Sequence, residues 1–312
     1  MSEETHDGGH THVLGAILAN LLIAVSKFIV AGITGSSAMI SEGIHSAADT
    51  GNQLLLMLGI KESQKPADEL HPFGRGKELY FWSLIVALIL FGLGGGMSIY
   101  EGITHIQHPA ELVNPGWNYV VLGIALVAES ISQVIVIREF LRQKRDEESL
   151  WESILTSKDP TVFVVLFENA AALAGILVAG VGIYLAHQFN NPVIDGVASI
   201  IIGIILASVA LFLARESRAL LIGERADREI VAAIRRLVEE DEAVIASGQP
   251  LTMHFGPDNI LLNLSVHFNQ QLTLREITQS IQRIENQIKK ECPSVKQIFL
   301  EAASFGGDAS NV

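Results

Sequence analysis

Long apolar runs alternate with short polar segments over the first two thirds of the chain. Six runs, at about 13–33, 37–60, 80–104, 117–137, 161–187 and 193–214, can each cross a hydrocarbon core as a helix, which takes roughly 20 apolar residues. They predict an α-helical membrane domain of six transmembrane helices over residues 13–214. The preceding residues, 1–12, contain no Lys or Arg and so do not resemble a cleaved signal peptide. We expect them to form an N-terminal tail.

The pattern changes at about residue 222 to that of a small soluble α/β domain. The stretch "DREIVAAIRRLVEE" has the spacing of an amphipathic helix, and "NILLNLSVHF" alternates as a half-buried strand does. Thr273 and Glu276 form a predicted capping box at the start of a second helix, and "VKQIFLEA" reads as a last strand. We expect a ferredoxin-like αββαβ domain over 222–304, with an antiparallel sheet covered on one face by helices, and a disordered tail at 305–312.

Composition and charge support the membrane assignment and orient the chain. It is 49% hydrophobic and 18% charged, with a mean hydropathy of +0.38. Cations occur in the connections after the second, fourth and sixth runs, and the other three connections have none. The positive-inside rule therefore predicts that both termini and the basic connections are cytoplasmic. The net charge of −13 gives no support to nucleic-acid binding, and the single Cys292 cannot form an internal disulfide.

The second run carries ionisable residues through its middle, in "SAMISEGIHSAADTGNQLLLMLGIK". Such groups cost at least ~2.5–3.5 kcal/mol each at membrane depth and usually mark a functional site. His45 and Asp49 are four residues apart and share one helix face. An imidazole nitrogen with a carboxylate oxygen suits Zn²⁺ and also Mn²⁺, Fe²⁺ or Co²⁺. The alternative is a His–Asp hydrogen bond that only fixes helix packing, and the residues alone leave both open.

The fifth run contributes a second polar pair, Glu168 and Asn169, followed by several Ala and Gly residues that permit close helix contact. A ligand cluster between the second and fifth helices is one interpretation. The other is a protonated Glu168 that hydrogen-bonds as a packing residue. Lys27, Glu129 and Asp195 are further membrane charges that could form buried pairs or a proton path.

These motifs, taken in order, resemble the cation diffusion facilitator (solute carrier 30) family, whose members are homodimeric metal/proton antiporters. The resemblance rests on "SEGIHSAADTGNQ", "HPFGRGKELYFWS", "NPVIDGVASIIIG" and the C-terminal α/β domain. It is strongest to the branch of mitochondrial zinc-transporter-9-like proteins and their bacterial relatives. It implies a homodimeric antiporter in the bilayer of the bacterial inner membrane. This antiporter would export Zn²⁺, with Mn²⁺, Fe²⁺ and Co²⁺ as alternatives, in exchange for protons, without a resident cofactor.

The resemblance also implies a tetrahedral transport site with two ligands from span two and two from span five. His45 and Asp49 match the span-two pair. In span five, Asn169 stands where an Asp is usual, and Val165, which cannot bind a metal, stands where a His or Asp is usual. The adjacent Glu168 would take over after a small helix rotation. The expected metal ligands are therefore His45, Asp49 and Glu168, with Asn169 or water as the fourth.

Two further metal sites that the resemblance implies lack some of their expected ligands in this chain. Asp68 and His71 match ligands of a loop site, but Arg75 occupies the third position, so we expect Asp68 to pair with a basic neighbour. In the C-terminal domain, His254 and His267 are the only histidines, and we expect both on strand surfaces.

Three function classes compete: an antiporter, a metal-gated channel and a membrane-embedded metalloenzyme. An enzyme would need an open coordination position and a placed general base, and no motif such as HExxH occurs. A channel would coordinate ions weakly at several points along a pore. One compact, deep site favours alternating access by an antiporter.

Overall fold

Helices occupy the positions of all six apolar runs. The computed structural model describes residues 4–110, 113–143 and 158–302. The predicted disordered tail at 305–312 and most of the connection between the fourth and fifth runs lie outside these residues. The chain divides into two compact units, one of residues up to 60 with 81–218, and one of 61–80 with the residues from 219 onward.

The first unit is helical. Its helices are α1 (Glu4–Thr34), α2 (Ser37–Ser63), α3 (Glu78–Ile89) continued by a π-helix (Leu90–Gly96) and α4 (Met97–Gln107), α5 (Gly116–Gln143), α6 (Pro160–Gln188) and α7 (Val193–Ile222). The backbone turns sharply at Gly35, whose φ of 73° is easily adopted only by glycine. Helix α1 begins at Glu4, within the residues predicted as an N-terminal tail.

Four helical rods in the described part of the chain are long and apolar enough to cross a membrane: Glu78–Gln107, Gly116–Arg142, Pro160–Gln188 and Val193–Ile222. Helix α1 adds a shorter apolar segment, Asn20–Thr34. Helix α2 falls outside this set, and its many polar residues lower its hydropathy. The chain is therefore a multi-pass helical membrane protein, and the count of six spans stays a prediction.

Glycines bring the rod Glu78–Gln107 and α7 into backbone contact. A Cβ atom on Gly102 would lie 2.6 Å from the carbonyl oxygen of Gly196, and one on Gly203 would lie 2.8 Å from that of Gly95. Small residues are the usual means by which membrane helices approach this closely, since lipid offers no hydrophobic drive for association. Any larger side chain at these positions would force the two rods apart.

Asp195 of α7 holds the beginning of α2. Its carboxylate accepts hydrogen bonds from the Ser36 hydroxyl (2.9 Å) and from the backbone N–H groups of Ser37 (2.5 Å) and Ala38 (3.3 Å). A short hydrogen bond between the hydroxyls of Ser41 and Ser199 lies further along the same interface. Because the first N–H groups of a helix have no partner within it, this carboxylate caps α2 from another helix. The depth of α2 relative to α7 is thereby fixed.

The second unit is an α/β domain with one more strand than predicted. Its elements are α8 (Arg228–Glu239), β1 (Val244–Ser247), β2 (Leu251–Gly256), β3 (Asn259–Phe268), α9 (Leu274–Glu291) and β4 (Val295–Ala302). The order is αβββαβ, so the expected αββαβ order was wrong. Strand β1 has only four residues and too little alternation to be recognised in the sequence.

The sheet is mixed, which corrects the expected antiparallel arrangement. Strand β3 pairs antiparallel with β1 and β2 and parallel with β4. Parallel neighbours need a long crossover, and α9 supplies it between β3 and β4. The core forms between the helices and one face of the sheet, with Ile234, Leu264, Ile284 and Ile288 among its buried members. The predicted capping box is confirmed, because Thr273 and Glu276 exchange side-chain and backbone hydrogen bonds.

The connection between α2 and α3 folds with this α/β domain. The ring of Phe73 lies 5.3 Å from that of Phe255 and 6.5 Å from that of Phe299, between ring centroids. The Lys77 ammonium lies 5.0 Å from the centroid of the Phe255 ring, within the range of a cation–π contact. Residues 61–80 are thus part of the second unit.

We expect the isolated α/β domain, residues 222–304, to fold without metal because its apolar core suffices. Replacing the fully buried Ile284 by Ala should lower its free energy of unfolding by about 2–5 kcal/mol. Urea denaturation in the presence of a chelator measures this. Gln287→Ala, on the exposed side of the same helix, is the matched control and should change little. Unfolding of the unmodified domain by the chelator alone would show a missed structural metal.

Candidate functional site

A polar stripe runs along one face of α2 at the middle of the membrane unit. It consists of His45, Asp49 and Asn52, spaced by four and three residues, which places them one above another on a helix. His45 and Asn52 are fully buried, and the Asp49 side chain is 14% exposed. Helix periodicity alone aligns these three side chains.

Most polar atoms of this stripe have no hydrogen-bond partner. Nδ1 of His45 lies 3.4 Å from Oδ1 of Asp49, beyond the usual range of a hydrogen bond. Within the described residues, both ring nitrogens of His45, Oδ1 of Asp49 and Oδ1 of Asn52 are buried without a hydrogen-bond partner. The structure therefore does not form the His45–Asp49 hydrogen bond that a pure packing role would use. Buried acceptors in this condition can bind a cation.

Helix α6 brings Glu168 to this stripe and turns Asn169 away from it. Nδ2 of Asn52 donates a 2.7 Å hydrogen bond to Oε1 of Glu168, which is also buried. Nδ2 of Asn169 donates instead to the Ser132 hydroxyl of α5, at 2.9 Å. Neighbouring residues of a helix point about 100° apart, so the two cannot face the same helix. Of the predicted ligands, Glu168 joins His45 and Asp49, and Asn169 does not.

The side chains of His45, Asp49 and Glu168 do not converge on one point in the structure. Across residues 4–110, 113–143 and 158–302, no group of three His, Cys, Asp or Glu side chains is close enough to hold one metal ion. Metal binding at His45, Asp49 and Glu168 therefore requires the side chains, or α2 and α6, to shift relative to one another. Such a shift is expected of a site that opens alternately to two sides of a membrane.

A buried ion pair lies next to the stripe. Nζ of Lys27, on α1, donates to Oε2 of Glu42 and to the Ser46 hydroxyl, both at 2.8 Å. Both charged side chains are shielded from solvent, at 1% and 0% exposure. Oε1 of Glu42 faces Gly175 of α6, where a Cβ would come within 2.3 Å of it. The sequence indicated that Lys27 could form a buried pair, and the structure identifies its partner as Glu42.

The loop after α2 holds Asp68 in an ion pair, as expected. Nη2 of Arg75 lies 2.7 Å from Oδ2 of Asp68, and Nδ1 of His71 lies 2.9 Å from Oδ1. Hydrogen bonds from Arg75 and then from His71 hold the pKa of Asp68 well below its usual value. The carboxylate is therefore charged at neutral pH and already paired, and a metal would have to displace the guanidinium.

The C-terminal histidines differ from expectation at one position. His254 was expected on a strand surface, but it is buried at 3% exposure, and its Nδ1 donates to the carbonyl oxygen of Gly256 at 3.1 Å. The end of β2 folds over it where the register with β3 shifts between His254 and Gly256. His267, on β3, is partly buried.

Sequence reasoning missed Asn52 as a member of the site. Its signal was present, because Asn52 lies seven residues after His45 and so shares its helix face. A neutral amide costs less to bury than a charged carboxylate such as that of Asp49, so it stands out less in the sequence. Its hydrogen-bond partner, Glu168, is also 116 residues away along the chain.

Comparison with known proteins decides the family. A family model described as the cation efflux transmembrane domain matches residues 13–222. The chain belongs to the cation efflux family. This confirms the resemblance to cation diffusion facilitators that the motifs indicated. Members of the cation efflux family are transporters and not enzymes, which removes the metalloenzyme alternative.

Several relatives in the cation efflux family are similar over most of this chain. The proton-coupled zinc antiporter SLC30A9, mitochondrial, is 33% identical over 281 residues in Xenopus laevis and 32% identical over 264 residues in Homo sapiens, covering 89% and 84% of this chain. The chain spans only about half of these relatives, 50% and 46% of their lengths. The manganese efflux system protein MneP of Bacillus subtilis is 23% identical over 311 residues, covering 98% of this chain and 99% of MneP.

The Lys27–Glu42 pair yields a stability prediction. Lys27→Met leaves Glu42 buried without its cation and should destabilise the purified protein by about 3–5 kcal/mol, as removal of one partner of a buried pair does. The double variant Lys27→Met, Glu42→Gln should recover much of this loss. Thermal denaturation in detergent micelles measures the order of stabilities. Additive losses in the double variant would show that the two residues do not act as a pair.

Proposed function

We propose that the chain is a divalent metal cation/proton antiporter that exports Zn²⁺ from the cytoplasm. The observation that carries the proposal is the buried stripe on α2, where the ring nitrogens of His45 and Oδ1 of Asp49 have no hydrogen-bond partner among the described residues. Glu168 stands on the facing helix, tied to the stripe through Asn52. The printed name of the SLC30A9 relatives, proton-coupled zinc antiporter, supports the same activity.

The donor set supports Zn²⁺ as substrate and leaves Mn²⁺, Fe²⁺ and Co²⁺ as alternatives. One imidazole nitrogen and two carboxylates suit all four ions, and none of the candidate ligands is a thiolate that would select for a softer metal. The name of MneP, a manganese efflux protein, supports keeping Mn²⁺ among the candidates.

Proton coupling follows from the chemistry of His45. An imidazole binds a metal only in its neutral form, so a metal ion and a proton compete for the same nitrogen. Metal binding on the cytoplasmic side releases the proton there. Protonation from the opposite side expels the metal, and an inward proton gradient drives metal out of the cytoplasm.

The proposed arrangement in the membrane has six spans, both termini in the cytoplasm and two copies of the chain. Cations in the connections after the second, fourth and sixth spans support the orientation. The family resemblance supports a homodimer, a ferredoxin-like fold for the α/β domain, and the bacterial inner membrane as location. The names of the SLC30A9 relatives place those proteins in mitochondria. Which membrane holds this chain is to be determined by fractionation of cells that express it.

The proposed ligands can be tested in liposomes loaded with a zinc indicator and a pH indicator. His45→Ala and Asp49→Ala should reduce metal-driven proton movement to background, and Glu168→Gln should reduce it severely. Asn169→Ala should have a mild effect, since Asn169 faces Ser132. Acidification of the compartment from which the metal binds should inhibit metal transport, because protons then compete with the metal for His45.

Controls for this experiment come from the loop after α2. Asp68→Ala and His71→Ala should keep near-normal transport, because the Asp68 carboxylate is paired with Arg75. Full proton movement in the His45→Ala, Asp49→Ala double variant would overturn the proposed site. Metal flux without proton movement would favour the channel.

The orientation can be tested by cysteine labelling in intact cells. Cys292 is buried, so it is first replaced by Ala to give a background without cysteine. Gln64→Cys should then react only with reagents that enter the cytoplasm, and Ala110→Cys only with impermeant reagents added outside. Both positions are exposed in the structure. Labelling of position 110 from the cytoplasm would contradict the six-span arrangement.

A further inference from the structure

Asn52 forms a buried polar bridge between α2 and α6. Its side chain is fully buried, and its N–H group donates to Oε1 of Glu168 at 2.7 Å. The amide turns its nitrogen, not its oxygen, toward Glu168. This leaves Oδ1 buried with no hydrogen-bond partner in the part of the chain that the structure describes.

An amide oxygen in this condition lowers stability unless something binds it. Leaving a buried acceptor unsatisfied costs about 1–3 kcal/mol, and the penalty is not relieved by water inside a bilayer. Oδ1 of Asn52 is also not isolated. It belongs to the same helix face as the unpaired ring nitrogens of His45 and the unpaired Oδ1 of Asp49. Three residues on one helix face therefore carry buried polar atoms without a hydrogen-bond partner, and each of these atoms could bind a metal ion.

We propose that Asn52 is a ligand of the transported cation through its amide oxygen, while its N–H group holds Glu168 toward the same ion. This inference rests on the proposed transport function and deepens it. It also changes which amide is the proposed ligand. The family resemblance had suggested Asn169, but the Asn169 side chain donates to Ser132 of α5.

The proposed ligand changes which metal the site favours. His45, Asp49, Asn52 and Glu168 supply one nitrogen and three oxygen donors. Amide and carboxylate oxygens suit Mn²⁺, whereas imidazole suits Zn²⁺. Removal of the Asn52 oxygen should therefore weaken Mn²⁺ binding more than Zn²⁺ binding. A purely structural Asn52 would not change the ratio of the two affinities.

The experiment measures equilibrium binding of Mn²⁺ and of Zn²⁺ to the purified full-length protein in detergent. Asn52→Leu keeps the size of the side chain and removes both polar atoms. It should weaken Mn²⁺ binding by about 10–100-fold, the range seen when groups around a metal site are removed, and Zn²⁺ binding by less. Asn52→Gln keeps both the amide oxygen and the N–H group and should retain more Mn²⁺ binding than Asn52→Leu. Asn169→Leu is the matched control on α6 and should leave both affinities unchanged.

The outcomes separate this inference from the function on which it rests. If His45→Ala abolishes binding while Asn52→Leu leaves both affinities unchanged, Asn52 is not a ligand and the transport proposal stands. If Asn52→Leu weakens Mn²⁺ and Zn²⁺ binding by the same factor, the residue is only structural, which also overturns the inference. If His45→Ala and Asp49→Ala bind metal normally, both proposals fail. Should Asn52→Leu not fold, Asn52→Ala replaces it in the same comparison.

Discussion

The structure depends on one constraint, which is that polar groups of α2 are buried among other helices and shielded from water. Each such group needs a partner inside the protein. Lys27 of α1 neutralises Glu42, and Asp195 of α7 caps the first N–H groups of the helix. Asn52 reaches Glu168 of α6. Helix α2 is thus held by three other helices through polar contacts that become stronger, not weaker, away from water.

These contacts divide α2 into two functional parts. The N-terminal part is anchored through its backbone cap, the hydroxyls of Ser41 and Ser46, and Oε2 of Glu42. The following stripe retains unpaired acceptors at His45, Asp49 and Asn52. A helix fixed at one end and under-satisfied in its middle is suited to hold a cation reversibly. Under the proposed function, the ion supplies interactions that these unpaired atoms lack.

The second unit draws its stability from different physics. Its core is made of aliphatic side chains from β3, α8 and α9, and its exposed charges form surface pairs of small energetic weight. The loop that follows α2 joins this unit through the rings of Phe73 and Phe255. In the same loop, the pairing of Asp68 with Arg75 keeps a charged carboxylate from serving as a metal ligand.

Local periodicity determined much of this protein from the sequence alone. The positions of the membrane helices, the capping box at Thr273, the α/β character of the C-terminal domain and the shared face of His45 and Asp49 all follow from the spacing of residues along one element. Strand β1 and the parallel pairing of β4 did not, because short strands and sheet order depend on partners distant in sequence.

Only the tertiary structure decided which side chains meet across helices. It paired Lys27 with Glu42, and it turned Glu168 rather than Asn169 toward α2. A rotation of about 100° about the axis of α6 separates those two outcomes, and an almost uniformly apolar helix carries no periodic signal that fixes its rotation. Packing against α2 and α5 fixes it instead, by satisfying one polar residue on each side.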